Sequence, residues 1–238
     1  YKGQAIYGVG GGITWDSTWE SEYREVHQKA AVLYRKQARF QLITTGKINQ
    51  KQLLFEEQHL ERLTKASRYF AYPFNPEDLR QRIEEEFQAC DSHQDYRLRI
   101  ILSKSGEMEL SRQILTPLSP SFCKAKLCLQ EADLQQAFTY FKTTHRPHLS
   151  LGKQEIIYHN AAGELLETSI GNLVLKINGK LYTPPIRLGI LPGIYRQHLL
   201  ETGQVKEKIM TLADLNQAEA IYGCNAVRGL YELEVNSK

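Results

Sequence analysis

Between residues 116 and 121 the chain reads Thr-Pro-Leu-Ser-Pro-Ser, two prolines and three hydroxyl side chains in six positions. Proline offers no backbone N–H to a ladder and disfavours helix in the residue before it, so no regular element runs through this segment. Strand patterns lie on both sides of it. The segment therefore predicts a domain boundary near Pro117, and 238 residues suffice for two domains.

Upstream of the boundary, Phe40, Leu42 and Thr44 alternate as a strand from Ala38 to Thr45, and Gln52 to Phe55 reads as its returning hairpin partner. Leu60, Leu63, Ser67 and Phe70 step at helical spacing. After Pro73, Asn75 caps and Pro76 opens a second helix with Leu79, Ile83 and Phe87 on its inner face. Tyr96, Leu98, Ile100 and Leu102 then alternate strictly. Downstream the signals are mostly strand: Ala125 to Leu129, Glu155 to His159, Leu165 to Ile170, Leu173 to Ile177, Val205 to Met210, Ala220 to Gly223 and Leu230 to Val235. Asn178-Gly179 is a type I′ hairpin turn, and Pro192-Gly193 opens a helix that Gly203 closes. The expected class is α/β, in the α+β sense.

Composition narrows the functions available. Thirty Lys plus Arg against 27 Asp plus Glu leave +3, with the signs mixed along the chain, which gives no support to nucleic-acid or membrane-surface binding. No apolar stretch approaches the ~20 residues of a membrane span, and the first residues read as neither a basic leader nor a signal core, so the cytoplasm is expected. Cys90, Cys123, Cys128 and Cys224 show no metal-like or disulfide-framework spacing and are expected as small buried thiols. The run Gly8-Val9-Gly10-Gly11-Gly12 lacks the spacing and the following acid of a dinucleotide loop. Behind it, Ser17 and Glu20 form a capping box for a helix with Tyr23, Val26, Ala30 and Leu33 on one side.

Three segments carry chemistry. Lys142 follows Phe138, Tyr140 and Phe141, surroundings that desolvate an amine, lower its pKa and make it nucleophilic. Leu191-Pro192-Gly193-Ile194-Tyr195 puts a glycine turn at a helix start, where free N–H groups and the dipole receive a phosphate. Glu167 sits in an apolar strand pattern and needs a cationic partner, which a pyridinium nitrogen would supply. His145, His148 and His159 have no carboxylate or cysteine at ligand spacing and read as ordinary hydrogen-bonded histidines. Lysine, buried acid and phosphate cradle together are the parts of a pyridoxal phosphate site.

The motifs F-K-T-T-H-R-P, G-E-L-L-E-T-S-I-G-N-L, T-P-P-I-R-L-G-I-L-P-G-I-Y-R and C-N-A-V-R-G, with H-L-E-R-L upstream, resemble the successive motifs of the fold-type IV pyridoxal phosphate family. Within that family they are most similar to the aminodeoxychorismate lyases. The resemblance implies that Lys142 carries the cofactor, Glu167 pairs with its ring nitrogen and Arg62 reaches its phosphate. By the same analogy Gly193, Ile194 and Tyr195 give the phosphate backbone contacts, and Asn172 and Asn225 flank the cofactor. Thr45 lies in its neighbourhood. Lys47 departs from the arginine common at its place and receives no role, while Arg146 and Arg228 are candidates for a substrate carboxylate.

The implied organisation is a small α+β domain (37–117) and a larger mixed-sheet domain (118–238) with pyridoxal phosphate between them, in a homodimer. The implied reaction converts 4-amino-4-deoxychorismate to 4-aminobenzoate and pyruvate. The alternatives are transamination of a branched-chain or D-amino acid, and a silent domain that assembles with a glutamine amidotransferase or synthase partner. Residues 1–36 resemble the closing segment of chorismate-using synthases, in which Glu22 and Glu25 would be Mg²⁺ ligands. Spacing i, i+3 sets both carboxylates on one helix face. As a remnant of such a domain they are expected to form an incomplete metal site.

Overall fold

The computed structural model describes residues 6–34, 38–130, 136–150 and 152–235, and the chain divides into two compact units, 1–39 and 40–238.

In the first unit the glycine run leads into helix α1 (Trp19–Tyr34). The cap falls one residue later than the Ser17/Glu20 expectation: Thr18 Oγ1 accepts the Ser21 N–H and Ser21 Oγ accepts the Thr18 N–H, both at 3.3 Å. Ser17 is drawn off because its hydroxyl donates to Glu22 Oε1 at 2.6 Å. The glycine run meets the carboxylate face of the helix. A Cβ on Gly11 would stand 3.1 Å from Glu22 Oε2, and Lys29 ties Gly10 O (3.0 Å) to Glu25 (2.5 Å).

The second unit opens with a four-stranded antiparallel sheet in the order β2-β1-β3-β4: β1 (Leu42–Asn49), β2 (Gln52–Leu53), β3 (Tyr96–Leu102) and β4 (Met108–Ile114). Helices α2 (Glu56–Phe70) and α3 (Pro76–Gln88) bring Leu60, Leu63, Leu79 and Ile83 to a core with Leu42, Ile48, Leu98, Ile100 and Leu102. Strand side chains alternate between faces, and antiparallel partners share one. The register Thr45↔Arg99 and Lys47↔Arg97 therefore sets these four polar residues together on the face away from that core. β1 begins at Leu42, not Ala38, because Phe40 turns aside to pack on Phe70 and Phe138, at centroid separations of 4.8 and 4.9 Å. Asn75 accepts the Glu77 N–H and Pro76 opens α3, as the sequence requires.

The proline segment contains one helical turn, α4 (Pro120–Cys123), because Ser119 caps it and Pro120 suits its first position. Beyond it come β5 (Lys124–Leu129), α5 (Gln136–Tyr140), β6 (Ile156–His159), β7 (Leu165–Thr168), β8 (Asn172–Ile177), β9 (Lys180–Thr183), α6 (Ile194–Glu201), β10 (Val205–Glu207), α7 (Leu212–Gln217), β11 (Ala220–Asn225) and β12 (Gly229–Val235). Their order is β10-β9-β8-β11-β12-β5-β6-β7, and β7 also pairs with β8, so six strands close into a ring. That closing pair is Glu167↔Asn172. Ala125, Ile157, Leu165, Leu173, Leu175, Met210 and Leu233 form its main core.

β7 stops at Thr168, short of Ile170, because Thr168 bonds Gly171 twice in a tight turn. β10 ends at Glu207, where Lys208 reaches Asp214 and the Thr211/Asp214 capping box starts α7. Asn178 and Gly179 both have positive φ, as a type I′ turn demands. Cys90 and Cys224 are buried, but Cys123 is only partly covered and Cys128 is exposed on β5, against the expectation for all four. Among the described residues no helix is long and apolar enough to cross a membrane.

Candidate active site

Lys142 is delivered to the head of β1 by backbone pairing. Its carbonyl accepts the Ile43 N–H at 3.1 Å, Thr144 N–H donates to Gln41 O at 2.9 Å, and Leu42 and Thr143 form a bridge. Burial lowers the amine's pKa to about 7, helped by Arg62, Arg146 and Arg99 and opposed by Glu167. A cation is costly both in a desolvated place and beside other cations. At neutral pH a large fraction of Lys142 is therefore the free, nucleophilic amine.

Glu167, on β7, is 1% exposed. Arg146 Nη2 donates to its Oε1 at 3.1 Å and the Leu191 N–H to its Oε2 at 3.4 Å. Burial raises its pKa, while Arg146, the Leu191 N–H and Lys142 pull it back down. His148 Nε2 stands 4.0 Å from Oε1, buried and without a hydrogen-bond partner among the described residues. Burial, Arg146 and His145 depress the His148 pKa to about 4, so that imidazole is neutral.

Facing this acid is the start of α6. Gly193 is its N-cap and has no side chain to satisfy the N–H groups of the first turn, which a helix leaves without internal acceptors. Ile194 and Tyr195 are the first two helical residues. Arg62, on α2, places Nη2 2.8 Å from Pro192 O, beside this turn. Its own pKa is lowered to about 10 by burial and by Arg146. Asn172 Nδ2 donates to Leu191 O at 2.8 Å, and a Cβ on Gly193 would collide with Asn172 Oδ1. Only glycine lets the asparagine lie against the turn.

Asn225 is turned inward: its Oδ1 accepts the Val227 and Arg228 N–H groups at 3.0 and 2.9 Å, and its Nδ2 reaches Ile170 O at 3.3 Å. It shapes the loop after β11. Thr45 sits on the polar face of β1, whereas its neighbour Thr44 is buried and bonded to His59 Nδ1 at 2.6 Å. Of the two arginines suggested for substrate, Arg146 is engaged by Glu167, and Arg228 bonds Thr116 O through Nη1. Lys47, Phe55, Tyr195 and Arg228 line a cleft of about 150 Å³.

Sequence reasoning passed over Arg99. It lies close enough to bias Lys142, and its buried Nε has no partner among the described residues. Its only signal was its strand parity, opposite to Leu98 and Ile100. Glu22 and Glu25 belong to the other unit, where Ser17 and Lys29 hold them, and the described residues contain no group of three metal-ligating side chains.

The amino-transferase class IV sequence pattern matches residues 41–233, and the chorismate binding enzyme pattern matches residues 1–35. The aminodeoxychorismate lyase of Saccharomyces cerevisiae is 25% identical over 201 residues, taking in 62% of this chain and 54% of the yeast protein. The chain thus spans about half the length of that relative. Among solved structures, a Mesorhizobium loti protein provisionally named an amino-acid aminotransferase is similar at a TM-score of 0.74 and 26% identity, covering 82% of this chain and 99% of that one. The PLP-bound form of a hypothetical aminotransferase from Mycobacterium tuberculosis shares the fold at a TM-score of 0.67 and 18% identity, over 82% and 81% of the two chains.

Proposed function

We propose, from the premise that this chain belongs to the class IV aminotransferase family, whose members use pyridoxal phosphate, that it is a lyase converting 4-amino-4-deoxychorismate to 4-aminobenzoate and pyruvate. The observation that carries the reading is the buried Lys142 amine, its pKa lowered to about 7, beside the buried Glu167. The residues fit the cofactor: a free amine for its aldehyde, a buried carboxylate for its ring nitrogen, and an uncapped helix start with Arg62 for its phosphate. When bound, the cofactor supplies an electron sink for a developing carbanion.

The protein's own part is proton and charge management. Lys142, once released, is the base that takes the proton from the amino-bearing carbon. Glu167 would pair with the ring nitrogen of the bound cofactor, and Arg146 works against the burial that raises the acid's pKa. The enolpyruvyl C–O bond then breaks, the six-membered ring becomes aromatic, and the side chain leaves as pyruvate with the balancing proton. The substrate is a dicarboxylate, and Arg99, Arg97 and Lys47 on the polar face of β1 and β3, with Arg228, supply cations for it. Among the described residues, only Lys47 of these has a carboxylate partner, Asp95 at 2.6 Å.

Residues 1–35 match a chorismate-binding pattern, which supports a place for this chain beside a synthase that makes the aminated substrate. The likeness to the Mesorhizobium protein favours a second reading, transfer of an amino group to a 2-oxo acid. Incubation with enzymatically prepared aminodeoxychorismate separates them. Release of 4-aminobenzoate and pyruvate in equal amounts is expected, whereas amino transfer to a 2-oxo acid without 4-aminobenzoate overturns the lyase.

A further inference from the structure

Glu155, at the entry to β6, is fully buried, and no Lys, Arg or His lies within ion-pair distance of it among the described residues. A buried carboxylate without a counter-ion is stable only if hydrogen-bond donors surround it. Three do, and each comes from a different place. Ser169 donates its hydroxyl to Oε1 from the turn between β7 and β8, and the Ile156 N–H reaches the same oxygen at 3.3 Å from β6. Tyr231 donates to Oε2 at 2.9 Å from β12.

The turn that Ser169 belongs to carries three parts of the active site. It begins at Glu167 and ends at Asn172, which holds the loop before α6, and its Ile170 carbonyl receives the Asn225 amide. Thr168 and Gly171 bond each other across it, and the Tyr231 hydroxyl also reaches Thr168. Tyr231 gets there by lying over β11, where Gly223 leaves room: a Cβ on Gly223 would collide with the ring. Gly171 has the same crowding, against the Cys224 carbonyl. The turn is therefore pressed into one position, and the Glu155 carboxylate is its outer anchor.

We propose that Glu155 is a positioning residue that, through Ser169 and Tyr231, fixes the aim of Glu167 at the cofactor's ring nitrogen and of Asn172 at the phosphate turn. This rests on the reading of the site as a pyridoxal phosphate site. The carboxylate touches neither cofactor nor substrate. It acts by pinning one short turn to two strands, β6 and β12, that the turn does not itself extend.

The test uses Ser169→Ala and Tyr231→Phe, which each remove one arm, and Glu155→Gln, which keeps the shape and lets both hydroxyls turn to suit the amide. In protein loaded with cofactor labelled with nitrogen-15 in its ring, the resonance of the two arm variants should move toward that of unprotonated pyridine. Their kcat should fall about tenfold or more with KM nearly unchanged, the mark of a lost transition-state interaction. Glu155→Gln should keep the wild-type resonance. Variants that melt earlier but show the wild-type resonance and kcat would reduce Glu155 to a structural role and overturn the proposal. Amide hydrogen exchange in unloaded protein gives a reading that does not need the cofactor: residues 168–172 should exchange faster in both arm variants, with β9 unchanged. Unaltered exchange there overturns the anchor itself, while failure of the wild type to bind pyridoxal phosphate sinks only the cofactor reading.

Discussion

Arg146 Nη2 lies 3.1 Å from Glu167 Oε1, and this contact works against the burial that raises the pKa of the acid. We propose that Arg146 serves the acid in place of the substrate carboxylate for which it was a candidate. Replacing it with leucine should push the Glu167 pKa further up and enlarge its protonated fraction relative to the wild type. Infrared difference spectra against Glu167→Gln read that directly. Turnover should fall by about 10- to 100-fold with little change in KM, whereas a large rise in KM alone would return Arg146 to substrate binding.

Lys142 has a folded-state pKa of about 7 against an ordinary 10.5. Between those values the unfolded chain binds more protons than the folded one, so the stability of cofactor-free protein should rise as pH increases from 7 to 10.5 and be lowest below 7. Lys142→Met should abolish that part of the slope. Denaturant melts of both proteins across the window check it. The same variant should fail to form a borohydride-reducible adduct with pyridoxal phosphate, and an adduct on another lysine would refute the assignment.

Arg62 and Glu167 should fail in different ways. Arg62→Ala removes a charge-assisted bond to phosphate and should release the cofactor on dialysis, while raising the Lys142 pKa because a neighbouring cation is gone. Glu167→Gln should retain the cofactor, lower the Lys142 pKa further and reduce turnover far more than affinity. Absorbance after dialysis measures retention and the pH dependence of Lys142 acetylation in cofactor-free protein measures its pKa, and equal cofactor retention in Arg62→Ala and wild type would remove the phosphate role.

Glu22 and Glu25 should take up Mg²⁺ only feebly. Both carboxylates are already engaged, one by Ser17 and the other by Lys29, and two carboxylates leave most of an octahedral shell to water. Calorimetry with Mg²⁺ and chorismate should show no tight uptake. Saturable micromolar binding would show that these 36 residues form a working site by themselves.

Much of this was legible in the residues because the signals were local. Asn75-Pro76, Asn178-Gly179 and the alternation from Tyr96 to Leu102 each fix a conformation within a few positions. Lys142, Glu167 and the Gly193 turn were readable as types that need particular surroundings. What escaped depends on partners distant in the chain. β4 alternates weakly because its core-facing positions are only half covered, and α7 is set by Lys208 and a capping box whose meaning needs the preceding strand. Arg99 becomes informative only once the register with Thr45 turns it toward Lys142. Asn225 was legible only as a position in a motif, and its inward amide depends on Ile170, 55 residues away.

The ring of six strands closes through Glu167 and Asn172, so the ligand would sit at a clasp and not in a hollow. Elsewhere on the wall, away from Asn225 on β11, Tyr231 on β12 and Glu155 at the entry to β6, side chains fill volume and touch no part of the candidate site. At the clasp, a change in stagger between β7 and β8 would alter closure and cofactor aim together. One short hairpin therefore carries two tasks at once, the closing of the wall and the aim of the acid, and a single slip there would undo both.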